Sequence, residues 1–266
     1  MNTSFFQAFI LCFSIFLLFS CQNYSQKSMD ATDYQTVLEN KYGQKFIVQK
    51  APRSSGSGKK LVIASPAQSP DMSFQAEFDR NGSYLSDTYM QVIWSRQLKS
   101  VVEDAIQCGE IPYVLKVSYY QLSNEEVDPR NIPEVQSMIQ LPESENKTNV
   151  WAHVFANAEK QEELREIISC IHRSLTTLSE LGTAIIYFNI SIYDKSIPKK
   201  EDLNSFNFGF SRIKTDSFED IHKDGLQKRI VFEWNSDQNL PDEEAILSIV
   251  DHKPNYFGSK VQRFEN

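Results

Sequence analysis

Neither a zinc motif nor a catalytic signature occurs in this 266-residue chain, and several commoner features are scarce. The four histidines, His153, His172, His222 and His252, are dispersed, and the four cysteines, Cys12, Cys21, Cys108 and Cys170, form no pair at metal-ligand spacing. No G-x-S-x-G elbow is present. The one glycine-rich loop, GSGKK at 56–60, lacks the earlier glycine and the Ser or Thr after the lysine that a phosphate loop needs. A strand-like stretch follows it, so no helix N-terminus is offered to an anion. Catalytic residues, cofactors and metal ligands are therefore all assigned as none. Basic residues are outnumbered 27 to 35, for a net charge of −8, and without a clustered basic surface nucleic acid is excluded as a partner. Nine glycines and ten prolines are too few for a fibrous or disordered chain, while 41% hydrophobic residues supply a core for one large domain or two small ones.

Long apolar runs are scarce too, with one exception. FFQAFILCFSIFLLF, residues 5–19, is 15 residues long, short of the roughly 20 that cross a bilayer core. It is apolar all round, unlike an amphipathic core helix. Its length, ending in small residues, matches a secretory signal; an uncleaved N-terminal anchor and a buried helix are the competing readings. The run closes on Leu18-Phe19-Ser20-Cys21, which resembles the lipobox of bacterial lipoproteins. The resemblance implies that Cys21 receives a lipid, that cleavage follows Ser20, and that residues 1–20 are a signal peptide. Gln22 after the cysteine favours the outer over the inner membrane by the same resemblance. The stretches LENKYGQKFIVQK (38–50) and DTYMQVIWSRQL (87–98) also resemble a module of small uncharacterised envelope lipoproteins. That likeness implies an exported, lipid-anchored globular protein and carries no functional residue with it.

Beyond a polar tether (21–33), periodicity predicts an α+β body over 34–266, either one domain or two lobes divided near residue 135. Asp30 can cap a helix over 31–42 with Gly43 as its stop. Strands are expected at 45–50, 60–65 and 72–78, and a long helix over 87–107 presents Tyr89, Val92, Ile93, Leu98 and Val102 at helical spacing. A strand at 113–122 follows, then a proline- and acid-rich surface loop over 123–148, a strand at 149–156 and a helix capped by Asn157 with its isoleucine stripe. Strands at 184–194, 207–212 and 229–234 and a short helix starting at Pro241 complete the pattern. Residues 72–194 thus read as an antiparallel or mixed sheet with two long helices on one face, in an order compatible with a ferredoxin-like βαββαβ fold.

Cys108 and Cys170 remain in the mature chain; one disulfide is permitted, and two small buried thiols are favoured. Glu159, Glu162, Glu163 and Glu166 open the second long helix, where its dipole accounts for them without catalysis. Tyr119, Tyr120, Trp94, Trp151 and Trp234 either pack in the core or line a groove. These readings point to a membrane-held envelope protein that binds a protein or glycan through its sheet or a loop, an immunity protein against a secreted toxin being one form. The rival is an envelope hydrolase with a site assembled from distant carboxylates.

Overall fold

The computed structural model describes residues 29–54, 58–106, 108–121, 127–140, 146–196, 225–251 and 261–263. The expected signal peptide, Cys21, most of the tether, the strand at 207–212, His222 and His252 lie outside them. Helix α1 (Ala31–Tyr42) starts as its sequence dictates: the Asp30 carboxylate accepts from the N–H groups of Thr32 and Asp33, and Asp33 accepts from the N–H of Asp30 at 3.0 Å. This reciprocal capping box satisfies donors that the first turn cannot. Gly43 stops the helix at φ 68°, a left-handed conformation that costs a residue with a β-carbon about 1–2 kcal/mol.

An antiparallel meander follows, β1 (Phe46–Ser54), β2 (Lys60–Pro66), β3 (Phe74–Phe78) and β4 (Tyr84–Asp87), paired in chain order. Alternation in β3 turns Phe74, Ala76 and Phe78 inward, where they join Val62, Ala64 and Phe46 under Tyr34, Leu38 and Tyr42 of α1. Helix α2 (Tyr89–Ala105) leaves β4 directly and leads to β5 (Tyr113–Gln121), the short α3 (Val135–Ile139), β6 (Asn146–Phe155), α4 (Gln161–Glu180), β7 (Ile185–Tyr193), β8 (Leu226–Asn235), α5 (Glu243–Ser248) and β9 (Gln262–Arg263). The second sheet is ordered β5-β6-β7-β8-β9. Only its β6–β7 and β8–β9 pairs are parallel, and α4 forms the β6–β7 crossover that parallel pairing requires.

One register row of that sheet, Val117, Val150, Phe188 and Phe232, runs across four strands. It packs with the α4 stripe Leu164, Ile167, Ile168, Ile171, Leu175 and Leu178 and with Trp94, Leu98 and Val102 of α2. Each such aliphatic side chain, fully buried, contributes about 1.5–3 kcal/mol. Met90 and Ile93 of α2, with Ile132, touch both this cluster and the one beneath α1, so α2 packs against both cores.

The fold is α+β as expected, but its strand order is not ferredoxin-like. The strand at 72–78 stays in the first sheet because both of its edges are already hydrogen-bonded, one to β2 and one to β4; no edge is left for β6. Strand β4 was hidden because it abuts the helix that the periodicity started at Asp87. The expected loop at 123–148 contains α3, with Val135, Met138 and Ile139 buried, an apolar face masked in sequence by flanking prolines and acids. Asn157 does not cap α4: its side chain accepts from the N–H of Glu159 at 3.2 Å, one turn too early, and Lys160 holds the cap position. Cys108 and Cys170 are bonded to each other, Cα atoms 5.7 Å apart, which corrects the reading of two separate thiols. Among the described residues, no helix is long and apolar enough to cross a membrane.

Candidate functional site

Two clusters concentrate polar chemistry. The first joins α1 to the start of α2. Asp87, its side chain 2% exposed, accepts from the phenols of Tyr42 (2.7 Å) and Tyr84 (2.7 Å), from Lys41 Nζ (3.1 Å) and from the N–H of Tyr89 (2.9 Å). Lys41 also bonds the Tyr84 hydroxyl and lies 4.1 Å from the centre of that ring and 4.8 Å from Tyr42's. Burial, then the Asp87 charge, pushes both phenols above their ordinary range. Both Asp87 oxygens are occupied by donors, so the cluster holds no open acceptor for a reacting proton. It fixes where α2 leaves the first sheet.

The second cluster is the face of the five-stranded sheet turned away from α2 and α4. Strict alternation sends Ile186, Phe188, Ile190 and Ile192 into the core and therefore sends Tyr187, Asn189 and Ser191 to the opposite side. Three register rows build that side: Lys116, Trp151, Asn189 and Val231; Ser118, Asn149, Tyr187 and Glu233; Val114, His153, Ser191 and Arg229. The Trp151 and Tyr187 rings are half-buried diagonal neighbours with centroids 6.0 Å apart. Lys147 Nζ lies 5.7 Å from the Tyr187 ring and pairs with Glu233 at 3.1 Å. Arg229 Nε donates to Asn189 Oδ1 at 3.1 Å. Among the described residues no hydrogen-bond donor reaches the buried Asn149 Oδ1, a group whose desolvation is favourable only when a donor reaches it.

The electrostatics of this face differ from those of a solvated surface. Burial lowers the Lys116 ammonium below its ordinary value. Burial, with the Arg229 charge behind it, lowers His153 from 6.5 to about 4, so the imidazole is neutral at physiological pH. At the end of the sheet Phe155 and Tyr193 stack at 6.0 Å, with Val114 and Leu226 against them. Among the described residues, the apolar contacts of that end come from strands alone.

Of the aromatic candidates, Trp94, Tyr119 and Trp234 are core residues, while Trp151 and Tyr120 belong to the outer face. Tyr187, Lys147, Asn149, Asn189, Arg229 and Glu233 were missed. The polar parity of IIYFNISIY (185–193) held the signal, masked by its high overall hydrophobicity. The acids of α4 are local: Glu163 accepts from Lys195 (2.8 Å) and from the N–H of Asn157 (2.8 Å), which together hold its carboxyl below the ordinary range. Among the described residues, no group of three or more His, Cys, Asp or Glu side chains is placed to hold a metal ion.

No protein-family model and no curated protein matches the sequence. The structure is similar to the crystal structure of a DUF5037 family protein from Ruminococcus gnavus ATCC 29149, solved at 2.55 Å, with a TM-score of 0.51 and 16% identity. The match covers 82% of this chain and 97% of the other. At that identity the likeness is one of fold.

Proposed function

We propose that this is a lipid-anchored cell-envelope protein that holds a macromolecular partner, a protein or a glycan, on the half-buried part of its five-stranded sheet's outer face around Trp151 and Tyr187, the rows towards His153, Ser191 and Val231 being buried. The observation that carries the reading is the Trp151–Tyr187 pair, half-buried on the side away from the helices and edged by Lys147, Glu233 and the Asn149 amide. Rigid aromatic surface with a polar rim is the composition of binding hot spots. Two further observations support the address. The lipobox-like Leu18-Phe19-Ser20-Cys21 lies nine residues before the Asp30 cap, so a short polar tether joins the expected lipid to the folded body. The Cys108–Cys170 bond is of a kind that persists in oxidising compartments.

Site-specific photocrosslinking from position 187 in intact cells, followed by identification of the captured species, tests the binding reading. A partner captured from position 187, and absent when the crosslinker sits at Gln75 on the other sheet, is expected. Capture of nothing from 187 under any growth condition refutes it. For the anchor, mass spectrometry of the mature N-terminal peptide is expected to find acylated Cys21; an unmodified Cys21 in membrane-purified protein refutes that part alone.

A further inference from the structure

Cys108 lies three residues past the end of α2 and Cys170 lies in the middle of α4, with Cα atoms at 5.7 Å and a sequence separation of 62. That span is one a disulfide bridges without moving backbone. Both residues are buried, 3% and 0% exposed. The two sulfurs have unlike surroundings. Exposed Arg173, one turn beyond Cys170, donates Nη2 to Cys170 Sγ at 3.3 Å, Nη1 to Ser169 Oγ at 3.1 Å and Nε to the Ala105 carbonyl at 3.4 Å. Its guanidinium therefore reaches from α4 to the last turn of α2, beside the bond. The Glu166 carboxylate, one turn before Cys170 on α4, lies against Gly109, the neighbour of Cys108, close enough to collide with any added β-carbon.

We infer that Cys108–Cys170 is an oxidation-dependent clamp between α2 and α4, closed and reopened through a Cys170 thiolate that Arg173 stabilises. The Arg173 guanidinium at the Cys170 sulfur assigns the roles: Cys170 is the nucleophile in closure and the leaving group in reduction, and Cys108 is the resolving thiol. In closure the Cys170 thiolate attacks a sulfur of an external disulfide, either a small molecule or an oxidoreductase, and expels one thiolate. Cys108 then gives up its proton, attacks the Cys170 sulfur of the mixed disulfide and expels the second. The chain loses two electrons and two protons, and the external disulfide gains them and departs as two thiols. Because both sulfurs are buried once α2 docks on α4, exchange requires that contact to open, and the closed clamp is shielded from reductants. The clamp rests on the bonded pair and its neighbours, and holds whether or not the anchor and the binding face do.

The test uses full-length protein in detergent. Peptide mapping without reductant is expected to recover the Cys108–Cys170 link, and recovery of the two cysteines unlinked after exposure to oxidised glutathione overturns the inference. Arg173→Gln is expected to slow closure of that link in a glutathione redox buffer by about three-fold at neutral pH, the net of a ten-fold smaller thiolate fraction against higher intrinsic nucleophilicity. It should also move the pH profile of Cys170 alkylation upward, and Arg173→Lys should recover most of both effects. A wild-type closure rate and alkylation profile in Arg173→Gln removes Arg173 from the mechanism and overturns the assignment of roles.

Discussion

Tyr42 and Asp87, 45 residues apart, meet at 2.7 Å, and with them the two sequence stretches KYG and DTY become one structure. Lys41, Tyr84 and the Tyr89 N–H bond the same carboxylate, and the Tyr42 ring packs edge-on against Tyr89 at 4.7 Å. Asp87→Ala leaves three side-chain donors facing a void, so a loss of about 3–5 kcal/mol is expected, as for a buried pair broken on one side. Tyr42→Phe removes one hydrogen bond and keeps the ring, which costs about 1–1.5 kcal/mol. Guanidinium unfolding midpoints at constant m-value check both; equal losses for the two variants would show that packing, not the carboxylate, holds the cluster.

These residues mark the limit of what the sequence disclosed. The local signals were legible: the Asp30 cap, the Gly43 stop, alternation in Phe74–Phe78 and the Leu164–Leu178 stripe each follow from spacing and propensity and stand where expected. The short helix expected from Pro241 is present as α5 but starts two residues later, at Glu243, with Asp242 as its cap accepting from the Ala245 N–H at 2.8 Å. What stayed hidden is set by partners distant in sequence. That β3 would be paired on both edges depended on β4, four residues long and joined to a helix. The outer face depended on four strands drawn from residues 113–235 coming into register, and the Cys108–Cys170 contact on how α2 docks against α4.

Removing the disulfide lowers stability mainly by releasing the unfolded chain. A loop of 62 residues corresponds to about 4 kcal/mol in the chain-entropy treatment. Cys108→Ala with Cys170→Ala is therefore expected to lower the unfolding free energy by about that amount, and reductant added after unfolding should shift the wild-type refolding curve to match. If reduced and oxidised proteins share one denaturation curve, the crosslink has no role in stability.

His153 supplies a pH signature. Burial, and next the Arg229 charge, lowers its folded value to about 4 from 6.5 in the unfolded chain. Below 6.5 the unfolded state binds the extra proton first, so the contribution of the neutral imidazole is complete above 6.5 and is lost as pH falls towards 4. Over that window it amounts to about 3 kcal/mol. The carboxyls of Glu39, lowered chiefly by Lys45, and of Glu163, lowered chiefly by Lys195, lose their contribution only below about 4.5. A fall in stability between pH 6.5 and 4.5 is therefore expected from His153 and should flatten in His153→Gln. An unchanged slope in that variant assigns the titration elsewhere.

The proposed binding face and the core make opposite demands on their tryptophans. Trp94 is 3% exposed, donates Nε1 to the Pro133 carbonyl at 2.9 Å and packs edge-on against Tyr119. Trp94→Ala is expected to cost about 3–5 kcal/mol of stability, as for a buried aromatic deleted to a cavity. Trp151 is half-buried on the outer face, with Tyr187 as its ring neighbour and Lys116 and Asn189 as its cross-strand pairs. Its truncation should spare folding while lowering partner capture about thirty-fold, the equivalent of a hot-spot loss of about 2 kcal/mol. The two effects separate cleanly when melting temperature and capture yield are measured on the same preparations. If Trp151→Ala and Tyr187→Ala retain wild-type capture while melting far below it, the ring pair serves packing and the partner sits elsewhere.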